Sequence, residues 1–275
     1  MAQRILRPLD YGAMLDELFD MYKKNFVLLA GITGIIYLPA TMLYNYATTA
    51  LRTHMTINRN PSPADIQGLI ISGIFTMVVM ILYFSLTFVV AAAITWAISK
   101  VYLGDKVTIM QSYRSVVKKI VPFTLTMTIA SLIVLAGFVL LCIPGLIAIL
   151  FTSFVSESFV IEGKQYVDAI KRSFELVRKE WVKVLVVGLL TYILSFIVSG
   201  VMVSPFLVMQ ALSGNAPMSA SMSILQGFVS GIAQTLIMPI QVIAYVLLYY
   251  DIRIRKEGFD IEMLAAGMEN QTLSK

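Results

Sequence analysis

Residues 143–181 read IPGLIAILFTSFVSESFVIEGKQYVDAIKRSFELVRKEW, and this stretch decides the fold. It starts with an apolar run over residues 145–161, which is short for a membrane span and would form either a span in thin membrane or a re-entrant segment. It then changes to an amphipathic pattern over residues 165–180, where apolar residues recur every three or four positions among basic ones. Such a helix lies in the membrane interface, with its apolar face toward the acyl chains. The stretch therefore predicts a short membrane helix followed by an interfacial helix.

The composition of the whole chain agrees with a membrane protein. Hydrophobic residues make up 58% of the 275 residues and charged residues 13%. Soluble globular proteins have roughly 45–50% and 25% respectively. With one cysteine and one histidine, the chain has no sequence pattern for a disulfide framework, a metal centre or a cofactor site.

The same two patterns recur on both sides of the opening stretch. We predict an all-α polytopic membrane bundle, one integral membrane domain over residues 1–275, with about six transmembrane helices and three interfacial amphipathic helices. The predicted spans are residues 26–50, 66–101, 120–143, 145–161, 181–212 and 224–250, and the predicted amphipathic helices are residues 10–25, 108–119 and 165–180.

Local features define the ends of some of these helices. The second run, over 66–101, lacks proline and a turn cluster, so we interpret it as one long helix. Ile143-Pro144-Gly145 predicts a tight turn between the third and fourth spans. Thr108 followed by Gln111 predicts a capping box at the start of the middle amphipathic helix.

The basic residues predict the orientation. Of the 21 Lys and Arg residues, only Arg52 and Arg59 fall on the side of a six-span topology opposite to the rest. Because basic residues concentrate in cytoplasmic loops, we expect a multi-pass protein of the cell membrane with cytoplasmic N and C termini.

The interfacial segments also resemble one another. Residues 19–26 (FDMYKKNF) align without a gap with residues 174–181 (FELVRKEW), and Tyr113 with Lys118-Lys119 matches more loosely. We interpret the chain as three repeats, each an amphipathic helix followed by a two-helix hairpin. Chance similarity between amphipathic sequences is the alternative.

Residues 143–181 resemble a recurring segment of the glycerophosphoryl diester phosphodiesterase membrane-domain family. The similar features are the Pro-Gly pair, the VIEGK exit from the span, and the later SFELV with its tryptophan. Arg7-Pro8-Leu9-Asp10 and Tyr249-Tyr250-Asp251-Ile252-Arg253 add to the similarity. The resemblance implies the bacterial membrane region of that family without its catalytic barrel, whose metal-binding carboxylates and histidines have no counterpart here.

Two polar features inside the predicted spans are candidate sites. Glu157 would serve as a proton or cation site, as a partner of Arg172 or Lys183, or as a hydrated carboxylate at headgroup depth. A polar face on the sixth span would line a cavity or join helices by hydrogen bonds. That face consists of Gln226, Ser230, Gln234 and Gln241.

Charged residues near the span ends form a second candidate set. They would bind anionic lipid headgroups or clamp one repeat against another. The set comprises Lys23, Lys24, Lys118, Lys119, Glu162, Arg172, Arg178, Lys179, Asp251 and Arg253.

No catalytic residues are predicted, because the chain has no nucleotide-binding loop and no pair of intramembrane aspartates. The favoured function is a non-enzymatic scaffold or interaction protein, in the setting of envelope stress, peptide resistance or an exporter. Its expected partners are membrane lipids and a membrane protein, and not nucleic acid. The alternative is a transporter of a small solute, lipid or ion through an internal polar cavity, and an intramembrane enzyme ranks third.

Overall fold

The computed structural model of the protein describes residues 8–55, 62–214 and 218–258. Every regular element within them is a helix, as predicted. The helices are α1 (Tyr11–Lys24), α2 (Phe26–Met55), α3 (Pro63–Tyr102), α4 (Ile109–Val117), α5 (Ile120–Leu140), α6 (Cys142–Phe151), α7 (Val155–Glu162), α8 (Tyr166–Leu212) and α9 (Ala220–Glu257).

Six helical segments are long and apolar enough to cross a membrane, so the chain is a multi-pass membrane protein. They are α2, α3, α5, the pair α6 and α7, α8, and α9. Large apolar side chains remain widely exposed on them, including Val27 at 81%, Val139 at 79% and Leu212 at 84%. Exposed apolar surface on this scale is what contact with lipid requires.

The predicted interfacial helices correspond to α1, α4 and the first part of α8. Each ends at a single residue that leaves helical geometry just before a span: Asn25 (φ −115°, ψ 18°), Lys119 (φ −117°, ψ 15°) and Glu180 (φ −143°, ψ 38°). Asn25 and Glu180 are aligned in the sequence repeat, so the helix break recurs at the equivalent position.

Burial repeats in the same register. The residues seven positions before the break, Leu18, Ser112 and Ser173, are all buried. The residues four positions after it, Leu29, Phe123 and Val184, are buried as well. The same two positions relative to the break are therefore buried in all three segments, which agrees with the repeat, and the repeat itself stays a prediction.

The start of α4 has the predicted cap. Thr108 accepts a hydrogen bond from the Gln111 backbone N–H at 3.3 Å, and the Gln111 side chain accepts one from the Thr108 backbone N–H at 3.0 Å. This capping box satisfies two amides that the first turn of a helix leaves unpaired.

The predicted turn at Ile143-Pro144-Gly145 is wrong in position. The extended residue between α5 and α6 is Leu141 (φ −167°, ψ 159°), and Pro144 and Gly145 lie within the first turn of α6. Proline fits there because the first helical amides have no partner within the helix. Gly145 is needed for close packing: a Cβ at this position would lie 2.5 Å from the Phe138 ring.

The fourth span, predicted as one run, consists of two short helices. Residues 152–154 separate α6 from α7. Ser173 of α8 closes this gap, because its hydroxyl donates to the Phe151 carbonyl at 2.7 Å and accepts from the Phe154 N–H at 3.0 Å. The α6–α7 break is therefore held by a side chain from the following helix.

The described residues form two compact units. Unit 1 contains those within Met1–Phe26, Ala91–Thr191 and Ile240–Lys275, and unit 2 contains those within Val27–Val90 and Tyr192–Pro239. Unit 1 has a core rich in aromatic side chains, among them the fully buried Phe123, Phe154 and Tyr249. In unit 2, α2 and α9 approach closely, since Thr33 of α2 donates to the Thr235 carbonyl of α9 at 3.3 Å.

Candidate functional site

Two clusters of charged residues lie in unit 1. In the first, the Asp251 cluster, Asp251 of α9 pairs with Lys183 of α8 at 2.6 Å and with Arg255, one turn later on α9, at 3.0 Å. The side chain of Asp251 has no solvent exposure and that of Lys183 has 9%. The cluster is thus a buried ion pair with a more exposed arginine at its edge.

The backbone of Leu9, just before α1, completes the Asp251 cluster. Its N–H donates to Asp251 Oδ1 at 2.7 Å, and its carbonyl accepts from Lys183 Nζ at 2.8 Å and from Arg255 Nη2 at 2.7 Å. Burying charge is costly unless its hydrogen bonds are satisfied. Here each carboxylate oxygen of Asp251 has a partner, and the N-terminal segment is tied to α8 and α9.

The second cluster, the Arg172 network, consists of Glu162, Arg172, Tyr249, Arg253 and Glu257. Arg172 Nη2 lies 2.7 Å from Glu162 Oε1 and 2.6 Å from Glu257 Oε2, so one guanidinium bridges two carboxylates. Arg253 lies 3.5 Å from Glu162 and 3.4 Å from Glu257. The Tyr249 hydroxyl donates to Glu162.

Local structure aims these groups at one another. Glu162 ends α7, and Gly163 follows it in the left-handed conformation (φ 72°) that glycine adopts without strain. That residue reverses the chain, so α8 begins beside α7 and Arg172 can reach back to Glu162. Glu257 comes from the far end of α9, 85 residues away in sequence.

The predicted set of charged residues divides in the structure. Glu162, Arg172 and Arg253 come together, with Lys179 3.7 Å from Glu257, and Asp251 lies in its own cluster. Lys24 pairs within α1, with Asp20 at 2.6 Å. Arg178, Lys23, Lys118 and Lys119 form no ion pair with a described residue.

The predicted set of charged residues lacked several members of these clusters, namely Leu9, Lys183, Tyr249, Arg255 and Glu257. Glu257, Tyr249 and the Leu9 backbone have no local pattern that distinguishes them from neighbouring residues. For Arg255 the sequence did contain a signal. Asp251 precedes it by four residues, and an acid four residues before a base favours pairing on one helix face.

Glu157 is buried in α7, with 4% exposure. The interpretation of a hydrated carboxylate is therefore wrong for this structure. So is the pairing with Arg172 or Lys183, because those cations pair with other acids. Glu157 Oε2 has no hydrogen-bond partner, and neither do the buried hydroxyl oxygens of Ser156, Ser158 and Thr95.

The polar face of α9 is divided between the units. Gln226, Ser230 and Gln234 belong to unit 2 and Gln241 to unit 1, and all four are partly buried. None of the side-chain hydrogen bonds described for unit 2 involves Gln226, Ser230 or Gln234. Cavity lining and helix joining by this face both stay predictions.

A glycine pair that we did not predict brings α9 against α2 in unit 2. A Cβ at Gly227 would lie 2.5 Å from the Met42 Cα, and one at Gly231 would lie 3.0 Å from the Leu38 Cα. The signal was present in the sequence as a small-xxx-small spacing, which allows helix backbones to approach closely in membranes.

Within the described ranges, no group of three or more His, Cys, Asp or Glu side chains is arranged to hold a metal ion. The site that the structure does assemble is an electrostatic one, the two charge clusters of unit 1. The ion pairs and hydrogen bonds of the two clusters hold the N-terminal segment, α7, α8 and α9 together.

Comparison with known proteins gives one family match. A family model described as a domain of unknown function, DUF7847, matches residues 90–252, more than half of the 275-residue chain. No curated protein and no solved structure matches the chain. The match does not connect the chain with the glycerophosphoryl diester phosphodiesterase membrane domains, so that resemblance stays a prediction. The chain belongs to the DUF7847 family.

Proposed function

We propose that the chain is a non-enzymatic scaffold or interaction protein of the cell membrane. The observation that carries the proposal is the use of the charges in unit 1. Asp251, Lys183, Glu162 and Arg172 all pair with one another or with nearby groups at 2.6–2.7 Å. Side chains committed to structural ion pairs are poorly suited to bind and release a solute.

The cavities of unit 1 support the same proposal. The two more enclosed ones have volumes of about 90 and 40 Å³, and a wider one of about 460 Å³ is an open depression lined by polar and charged residues between Gly163 and Glu175. Small-molecule sites usually need about 300–1,000 Å³. A bundle that is locked by charge clusters and has little internal space is suited to present a rigid surface to other membrane components.

The scaffold is tested by chemical crosslinking in native membranes, followed by purification of the tagged full-length chain. We expect one defined membrane-protein partner to be recovered, with the same ratio of partner to tagged chain for wild type and for Glu157→Gln. Recovery of lipid alone, together with transport that depends on Glu157, would contradict the proposal. Glu175→Gln, on the exposed face of α8, is the matched control for the charge removal.

The proposed orientation places both termini in the cytoplasm, as the distribution of basic residues indicates. The test uses Cys142→Ser, which removes the one cysteine, combined with either Thr53→Cys or Arg178→Cys. A membrane-impermeant maleimide added to intact cells should label the first variant and not the second. Labelling of the second variant alone would indicate the opposite orientation.

The second candidate function is ion or proton-coupled transport, and Glu157 favours it. A buried carboxylate with an unpartnered oxygen, next to unpartnered hydroxyls on the same helix, is unusual within a membrane span. Tyr245 of α9 is close enough to interact with its charge. These features are typical of a site that takes up a proton or a small cation.

Transport is tested with the purified chain in vesicles that contain a pH-sensitive or sodium-sensitive dye. If Glu157 carries an ion, Glu157→Gln abolishes the flux while Glu175→Gln retains it, and both variants keep the wild-type unfolding temperature. If wild type produces no flux above that of empty vesicles under a pH or sodium gradient, the second candidate is discarded.

A further inference from the structure

The segment from Lys106 to Lys119 carries basic residues that lack acidic partners. Lys106, Arg114, Lys118 and Lys119 form no ion pair with a described residue, whereas Asp105, the acid beside them, pairs with Lys100 at 3.3 Å. The Arg172 network differs, because its cations are neutralised within the chain. The positive charge of this segment is therefore available to an external anion.

A cavity of about 90 Å³ lies beside this segment. Apolar side chains from four helices line it, including Phe123 and Phe159. Lys119, at the break between α4 and α5, and Trp96 of α3 are also among the residues that line it. The Trp96 indole N–H donates no hydrogen bond to a described residue. An apolar wall with a cation and a free N–H donor suits an amphiphilic anion.

The neighbouring surface is apolar. Met110 and Val117 of α4 and Val121 at the start of α5 are 60%, 57% and 66% exposed. An interfacial helix buries such residues among acyl chains, while its basic residues reach the headgroups. A free phosphate ion would use the cations alone, whereas a phospholipid would use both the cations and this apolar surface.

We propose that an anionic phospholipid binds at this segment, with only its headgroup phosphate in the 90 Å³ pocket between α3, α4, α5 and α7 and the rest of the lipid on the surface beside it. The Lys119 ammonium and the Trp96 N–H hold the headgroup phosphate, and Lys118 and Arg114 add positive charge around it. The acyl chains cover Val117 and Val121. Basic residues near a membrane surface each favour anionic lipid by about fivefold in affinity. This inference is independent of the scaffold proposal, since either proposed function is compatible with a bound lipid.

The two tryptophans of the chain, Trp96 and Trp181, allow a direct test. Trp181→Phe leaves Trp96 as the reporter of the pocket, and Trp96→Phe leaves the 52% exposed Trp181 as the reporter of bulk lipid. The full-length variants are placed in nanodiscs of phosphatidylcholine with a minor fraction of phosphatidylglycerol. Bromine atoms on the acyl chains of one lipid or the other quench tryptophan fluorescence on contact.

We expect brominated phosphatidylglycerol to quench Trp96 more strongly than its mole fraction predicts, while Trp181 shows no such preference. Adding Lys118→Gln and Lys119→Gln should reduce the preference at Trp96 by roughly tenfold or more. Lys171→Gln with Arg178→Gln, which removes two unpaired cations of α8, is the control and should leave the preference unchanged.

Three results would overturn the proposal. The first is equal quenching of Trp96 by both lipids in the otherwise unaltered chain. The second is an unchanged preference after both lysines are replaced in a variant that keeps its helical circular dichroism. The third is displacement of the lipid by inorganic phosphate or by a soluble acidic peptide, which would assign the cations to a different ligand.

Discussion

Lys183 Nζ lies 2.6 Å from Asp251 Oδ2, and the two side chains are 9% and 0% exposed although 68 residues separate them in sequence. The Leu9 backbone bonds to both residues of the pair. A single buried contact therefore connects the segment before α1 with two of the long helices.

Replacing Asp251 by Asn should destabilise the protein by about 3–5 kcal/mol, because the Lys183 ammonium would remain buried without a counter-charge. Thermal unfolding in detergent micelles, followed by circular dichroism, measures the effect. Asp20→Asn is the matched control: it removes the partner of Lys24 in an exposed pair, and we expect a loss of at most about 1 kcal/mol. Equal losses in the two variants would contradict the structural role of the Asp251 cluster.

Arg172→Lys should cost about 2 kcal/mol although it keeps the charge. A lysine ammonium cannot present the planar set of donors by which Arg172 holds Glu162 and Glu257 together. The free energy of unfolding, measured in a mild detergent, reports the loss. Arg178→Lys, at an exposed position without an ion pair, should be neutral. An Arg172→Lys variant as stable as wild type would show that the bridge between Glu162 and Glu257 does not contribute to stability.

Gly227→Ala should destabilise the contact between α2 and α9 by about 1–3 kcal/mol. The new Cβ would lie 2.5 Å from the Met42 Cα, and a backbone atom cannot move aside as a flexible side chain can. Gly200→Ala has nothing within 4 Å of the added carbon and is expected to leave stability unchanged or slightly raised. The two unfolding temperatures provide the comparison.

Thr108→Ala should weaken the start of α4 by about 1 kcal/mol, because Gln111 loses the oxygen that accepts its amide hydrogen bond. Hydrogen exchange at the Gln111 amide should become faster, with little change in α5. Thr108→Ser retains the hydroxyl and should keep the wild-type exchange rate. If both variants exchange alike, the capping box contributes little to the order of this helix.

Much of the fold followed from local patterns. The run over 66–101 was correctly interpreted as one helix, and the alignment of residues 19–26 with 174–181 matched the helix breaks at Asn25 and Glu180. Span length and amphipathic period depend on a residue's near neighbours in sequence, so they can be recognised there. Leu141 was missed as the turn because Pro144 and Gly145 were interpreted as a helix break, although proline is tolerated in the first turn of a helix and Gly145 packs closely against Phe138 there.

The candidate site was only partly predictable for the same reason. Acids and bases at the span ends were visible, yet nothing in their spacing showed that Lys183 would pair with Asp251 or that Arg172 would reach Glu257. The sequence around Glu157 does not distinguish a hydrated carboxylate from a buried one. By itself the sequence indicated which segments prefer lipid, which have an amphipathic pattern and where most helices start, because transfer to lipid and helix capping are local energies. The tertiary structure decided which charges meet and which stay unpaired, because burial makes the energy of a charge depend on partners tens or hundreds of residues away.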